Sequence, residues 1–173
     1  SATLTDIYSQ SALQLAQAFE VNYLESALLI NDGKAHFKIK PLPELSQISP
    51  GFGVVATEIN GDGIADIYLV QNFYHPQRET GKMGGGMSVL LLGNESGSFN
   101  EVWPNHSGLI VPEDARGLSS CDWNDDGWVD FVIGVNDSKM KLFETNVTSR
   151  NELLPLRLRL SYADGNPTGI GSK

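Results

Sequence analysis

One cysteine, Cys121, stands alone in 173 residues. No internal disulfide and no Cys-based metal site can be built from it, and its place in an alternating run predicts a small buried residue. Positive charge is scarce as well: 12 Lys and Arg stand against 21 Asp and Glu, for a net charge of −9. That balance argues against a nucleic-acid binder, which must neutralise phosphates. No apolar run approaches the ~20 residues of a membrane-spanning helix. A leader peptide is missing, but in a chain that opens Ser1-Ala2 without an initiator Met, as an excised piece would, this says nothing about targeting. Catalytic signatures are equally thin. His36, His75 and His106 lie in separate turns or loops, with no serine or cysteine motif beside them. Gly81-Lys82 ahead of Gly84, Gly85 and Gly86 suggests a phosphate loop, yet Met83 stands where Ser or Thr is required and a strand, not a helix, follows. The chain is read as non-enzymatic.

What the chain does have is concentrated acid. Seven of the 21 acidic residues fall in two nine-residue stretches, Glu58-Ile-Asn-Gly-Asp-Gly-Ile-Ala-Asp66 and Asp122-Trp-Asn-Asp-Asp-Gly-Trp-Val-Asp130. Glu58, Asn60, Asp62 and Asp66 in the first stretch match Asp122, Asn124, Asp126 and Asp130 in the second, with the same internal spacing. Gly63 and Gly127 sit at the sharp turn of each. Hard oxygen donors in a tight loop suit Ca²⁺, which takes 6–8 oxygens at about 2.3–2.6 Å. Packing several carboxylates together costs repulsion unless a cation offsets it. An EF-hand is excluded, because its twelfth place needs a bidentate Glu and here holds Leu69 or Ile133.

Around these loops the pattern is mainly β. Residues 5–20 predict one helix, capped by Thr5 or Asp6, whose stripe of Ile7, Ala12, Leu15, Ala16 and Phe19 should pack on a sheet. From Tyr23 onward short strands are expected at 27–30, 36–40, 52–59, 67–70, 88–92, 99–103, 115–121, 131–133, 140–143 and 153–162. Asn31-Asp32-Gly33 and Asn94-Glu95-Ser96-Gly97 mark hairpins. Leu28-Leu29-Ile30 with Phe37 repeats as Leu90-Leu91-Leu92 with Phe99, and the step from Leu28 to Leu90 nearly equals that from Glu58 to Asp122. Each unit therefore reads strand, acidic loop, strand, longer loop, strand, turn, strand. Four antiparallel strands at a fixed period predict β-propeller blades: half of one, one whole, and most of another. Closed propellers take ~4–8 blades, so the ring is expected to be partial. The end strands around Leu28–Ile30 and Leu156–Leu160 should then leave apolar faces that self-associate or lie under the helix. Phe73, Tyr74, His75, Arg78 and Glu79 on the long loop 71–87 are expected either to pack between blades or to meet a partner.

The two acidic loops resemble the Ca²⁺ hairpins of FG-GAP/VCBS repeats, found in integrin α-subunit propellers and secreted bacterial proteins. Glu58 departs from the family's usual Asp at the first place. The strand at 153–162 and the run Gly165-Asn-Pro-Thr-Gly-Ile-Gly171 are similar to the opening of an ASPIC/UnbV segment. The resemblance covers roughly residues 23–173 and implies propeller blades at 23–150 and an ASPIC/UnbV-like start at 151–173, with the helical segment read from its pattern as a lead-in at 1–22. It also implies an extracellular or cell-envelope module that binds an unknown protein or glycan and holds about two Ca²⁺. One ion would lie on Asp122, Asn124, Asp126, the Trp128 carbonyl and Asp130, the other on Glu58, Asn60, Asp62, the Ile64 carbonyl and Asp66. The alternative is a scaffold propeller within a larger hydrolase or lyase.

Overall fold

A computed structural model describes residues 2–146. The strand expected at 153–162 and the ASPIC/UnbV-like segment lie outside the described residues. Within them the chain is mainly antiparallel β, with three short helices. β1 (Ala27–Asn31) and β2 (Phe37–Pro41) form a hairpin. β3 (Gly51–Thr57), β4 (Asp66–Gln71), β5 (Val89–Gly93) and β6 (Phe99–Val102) form a four-stranded meander in chain order. β7 (Ala115–Cys121), β8 (Asp130–Val135) and β9 (Lys141–Phe143) form a third sheet.

The repeat expected from the sequence holds residue by residue. β3 pairs with β4 through Val54↔Leu69, Ala56↔Ile67 and Thr57↔Asp66. β7 pairs with β8 through Leu118↔Ile133, Ser120↔Phe131 and Cys121↔Asp130, the same pairs moved on by one unit. Each hairpin has an irregularity at the same end, after Gly51 and after Ala115. The β1–β2 register recurs in β5–β6: Leu29↔Ile39 becomes Leu91↔Glu101, and Asn31↔Phe37 becomes Gly93↔Phe99. Even the bond that closes each first hairpin repeats, as Asn72 N–H donates to the Pro50 carbonyl and Asn136 N–H to the Asp114 carbonyl.

Alternation along these strands decides how the sheets stack. In a strand, successive side chains point to opposite faces, and β4 is buried at all six positions. Ile67, Val89 and Leu91 on one face of the meander pack with Phe99 of β6 and, across from them, with Leu28 of β1 and with Leu42 and Leu45 just after β2. Tyr68, Val70 and Leu90 on the other face join Phe131, Ile133 and Val135 of the third sheet in the larger core. The Tyr68 and Phe131 rings meet with centroids 4.8 Å apart. Burial pushes the Tyr68 hydroxyl up to about 12, and that hydroxyl donates to Ser88 Oγ at 3.1 Å. The central sheet is thus apolar on both faces because both faces are covered.

Two expectations fail here. The helix over 5–20 is replaced by α1 (Leu4–Ile7) and α2 (Gln10–Leu15), broken at Tyr8. Thr5 and Asp6 do not cap it; Asp6 reaches back to the Thr3 N–H at 2.6 Å, and Ser9 caps the second turn through the Ala12 N–H. No residue of either helix is buried, and Leu15 and Phe19 are 90% and 84% exposed. Short helices are marginal without tertiary packing, and this segment packs on no sheet. Cys121 is the other miss. It is half-buried at the end of β7, where the strand opens into the acidic loop. Among the described residues no helix is long and apolar enough to cross a membrane. The third helix, α3 (Pro104–Ser107), is a single turn after β6.

The repeat supplies its own control on packing. Leu29 and Leu91 hold equivalent places, yet Leu29 is 64% exposed and Leu91 is fully buried. Leu91→Ala is expected to lower unfolding stability by about 2–5 kcal/mol, and Leu29→Ala by about 0.5 kcal/mol or less. Urea unfolding of both variants is the measurement; equal losses would mean that the outer face is covered in solution.

Candidate functional site

The two acidic loops are built alike. Each begins where the first strand of a hairpin ends and closes at the first residue of the second, Asp66 or Asp130. Both aspartates are fully buried. Asp66 Oδ2 accepts from the Ile59 N–H (2.9 Å) and Oδ1 from the Gly93 N–H (2.9 Å). Asp130 Oδ2 accepts from the Trp123 N–H (2.8 Å) and Oδ1 from the Thr145 N–H (2.9 Å). Each carboxylate therefore ties the loop's own start to the far end of a third strand.

The tips match as well. Asn60 Oδ1 accepts from the Asp62 N–H (2.9 Å) and Asn124 Oδ1 from the Asp126 N–H (3.1 Å). Asp62 Oδ1 accepts from the Ile64 N–H and Asp126 Oδ1 from the Trp128 N–H, at 2.8 and 2.9 Å. Gly61 and Asp125 both take positive φ, as do Gly63 and Gly127. Asp125 thus occupies a left-handed position that an aspartate tolerates and most residues do not.

The loops differ at their first donor. Asp122 accepts from two N–H groups, Asp126 at 3.0 Å and Gly127 at 3.0 Å. Glu58, one methylene longer, takes the Gly61 N–H through Oε1 at 2.6 Å. Its Oε2 is buried with no hydrogen-bond partner. Burial pushes the Asp66 carboxyl up, against the N–H bonds from Gly93 and Ile59, and the nearby Glu58 and Asp62 charges push it further. The Asn60 amide and the Ile64 N–H hold Asp62 below its ordinary value. Among the described residues, no three of the His, Cys, Asp and Glu side chains converge as a ready-made metal ligand set. Apart from Glu58 Oε2, the oxygens of the matched side chains are turned instead onto neighbouring N–H groups.

The loops also face one another. A cleft of about 550 Å³ runs between them, lined among others by Glu58, Gly61, Cys121, Asp122, Gly127 and Trp128. A Cβ added to Gly61 would lie 3.6 Å from Trp128 Cη2, so the Trp128 ring bridges the two units.

At the opposite end of the sheets, the aromatic loop is engaged in packing. Phe73 meets Phe52 edge-on with centroids 5.8 Å apart, and the Arg116 guanidinium lies 3.9 Å from the Phe52 centroid and 4.5 Å from that of Phe73. Tyr74 donates to the Pro112 carbonyl. His75 is largely exposed, 3.9 Å from the buried Asp114, while Arg78 and Glu79 stand in solvent. Sequence reasoning missed Asn72. Its buried amide donates to the carbonyls of Gly86 (2.8 Å), Pro112 (2.9 Å) and Glu113 (3.0 Å), tying the long loop to the next unit. A polar Gln71-Asn72 pair ending an apolar strand was the available signal.

No family model matches the chain, and neither a curated protein nor a solved structure matches it.

Burial pushes the Asp114 carboxyl up, but hydrogen bonds from Asn136 and Arg116, with the Arg116 charge, outweigh it and hold the group below its ordinary value. A depressed carboxyl stabilises the fold above its unfolded value, ~3.9, and that contribution is lost as pH falls through the folded value. The stability difference between wild type and Arg116→Met is therefore expected to narrow as pH drops from 7 to below ~4. Urea midpoints across that range test it. A difference that does not vary with pH would assign the loss to ring stacking alone.

Proposed function

We propose that the chain is a non-catalytic, calcium-stabilised module: consecutive blades of a β-propeller in a larger secreted or cell-envelope protein, serving adhesion or the binding of a protein or glycan. The observation that carries this reading is the matched pair of acidic loops, with equivalent donors at equivalent places and a buried Glu58 oxygen that meets no donor. The residues fit a hard cation: a loop of carboxylate, amide and carbonyl oxygens is the donor chemistry Ca²⁺ takes. Glu58, Asn60, Asp62, Asp66 and the Ile64 carbonyl would hold one ion. Asp122, Asn124, Asp126, Asp130 and the Trp128 carbonyl would hold the other. The ion's contribution is structural, offsetting carboxylate repulsion in a loop whose closing aspartate is already buried.

The stacking supports the propeller half of the proposal. The β1–β2 hairpin and the central meander turn their Leu28 and Leu90 sides to the next unit, and the meander turns its Leu91 side back to the hairpin. At the outer ends, Leu29 and Ile39 on one sheet and Leu142 on the other are exposed, at 64%, 49% and 39%. Further copies of the unit are the natural cover for such faces.

Calorimetric titration of chelator-treated protein is expected to show about two Ca²⁺ sites, and none at millimolar Ca²⁺ would overturn the reading. A ligand bound only by the folded state adds about 2.7 kcal/mol at a hundredfold excess over Kd. Asp126→Ala should abolish much of that gain in thermal unfolding. Asp125→Gly, which installs the residue found at the same place in the first loop, should retain it. Equal loss in both variants would point to general charge screening.

A further inference from the structure

The first acidic loop carries Asn60-Gly61 where the second carries Asn124-Asp125. An asparagine before glycine is open to attack on its side-chain amide by the next backbone nitrogen, because glycine has no Cβ to obstruct the approach. Asn60 is held in place for that attack. Its Oδ1 accepts from the Asp62 N–H at 2.9 Å, and its Nδ2 donates to Asp62 Oδ2 at 3.0 Å. Both bonds run to residue 62, which folds the amide forward over the intervening Gly61. The Asp62 N–H is also at the distance that suits a developing oxyanion, about 2.7–3.1 Å.

Gly61 supplies the nucleophile. Its N–H donates to Glu58 Oε1 at 2.6 Å, so a proton acceptor already touches the nitrogen that must lose its proton. The backbone there has a φ of 84°, a left-handed value that glycine adopts freely. The second loop keeps the amide bonds, with Asn124 Oδ1 3.1 Å from the Asp126 nitrogen and Nδ2 3.1 Å from Asp126 Oδ2. It puts a side chain on the attacking residue, Asp125, and its Asp122 accepts from Asp126 and Gly127. The repeat thus contains its own comparison.

We propose that the first loop modifies itself at Asn60. The Gly61 nitrogen bonds to Asn60 Cγ as its proton passes to Glu58 Oε1, and the Asp62 N–H meets the charge that builds on Oδ1. The Cγ–Nδ2 bond then breaks, the proton returns from Glu58 to the departing nitrogen, and ammonia leaves a cyclic imide. Water opens the imide. Attack at the side-chain carbonyl leaves an aspartate at position 60, and attack at the main-chain carbonyl leaves isoaspartate. One water is consumed and one ammonia released, with no other reactant. The aspartate would raise the acids of residues 58–66 from three to the four that residues 122–130 already hold. The isoaspartate would lengthen the main chain by a carbon inside the loop. Only the loop's own groups take part, so the inference stands or falls separately from calcium binding.

The test incubates the whole chain at neutral pH with chelator, which keeps any ion off the Glu58 and Asn60 oxygens. Peptide mass mapping follows conversion at Asn60 and Asn124, and ammonia release is the second readout. Asn60 is expected to convert at least about tenfold faster than Asn124. It should also convert at least about tenfold faster in the folded chain than in guanidinium chloride, where base and donor are dispersed. Glu58→Gln keeps an acceptor for the Gly61 N–H but takes no proton, and should slow conversion at least about tenfold. Gly61→Asp copies the second loop, whose Asp125 already takes positive φ, and should bring Asn60 down to the rate of Asn124 with an unfolding midpoint close to wild type. Conversion at Asn60 no faster than at Asn124, no faster in the fold than in guanidinium chloride, or unchanged in either variant would each overturn the proposal.

Discussion

A buried aspartate at the head of the second strand is the interaction on which each unit depends. Asp66 and Asp130 have no exposed surface, and each uses both oxygens to hold backbone N–H groups from two different segments. A charge-assisted bond to a backbone N–H is stronger than a neutral one, and a buried carboxylate needs such partners. The arrangement sets where the acidic loop begins, how tightly it turns, and where the third strand must end. It also explains the common build of the two loops, whose intervening residues share little beyond their oxygens and turn glycines.

Everything apolar is organised around that polar pin. With the strands registered by it, alternation places Ile67 and Leu91 toward one neighbour and Tyr68 and Leu90 toward the other. The sheets consequently stack face on face, with the acidic loops along one end and the Gln71–Asn72 connections along the other. The two ends use different chemistry. One gathers oxygen donors beside a cleft, and the other joins units through buried amides, stacked rings and the Arg116–Asp114 pair at 2.9 Å.

The outer sheets show what stacking does to identical patterns. Leu29 and Leu91 have the same hairpin position and residue type, yet one faces solvent and the other core. Burial here belongs to the neighbour rather than to the strand. The same logic accounts for the N-terminal segment, whose apolar stripe has the spacing of a docked helix and meets no surface to dock on.

Local features were settled by the sequence alone. Among the described residues, strand positions, the two repeated hairpin families and the matched places of both acidic loops follow from period-two alternation, turn residues and spacing. These are properties of neighbouring residues, and neighbours in sequence suffice to state them. Contacts between distant segments were decided only by the tertiary structure. It turned Asp66 and Asp130 inward onto the N–H groups of Gly93 and Thr145, far along the chain from each. It split the predicted helix and left it exposed, opened Cys121 toward the cleft, and engaged Phe73 and Tyr74 in packing on the next unit. It also left Gln71 Oε1 buried without a hydrogen-bond partner. Each of these depends on which surfaces the stacked sheets bring together, and no local pattern encodes that.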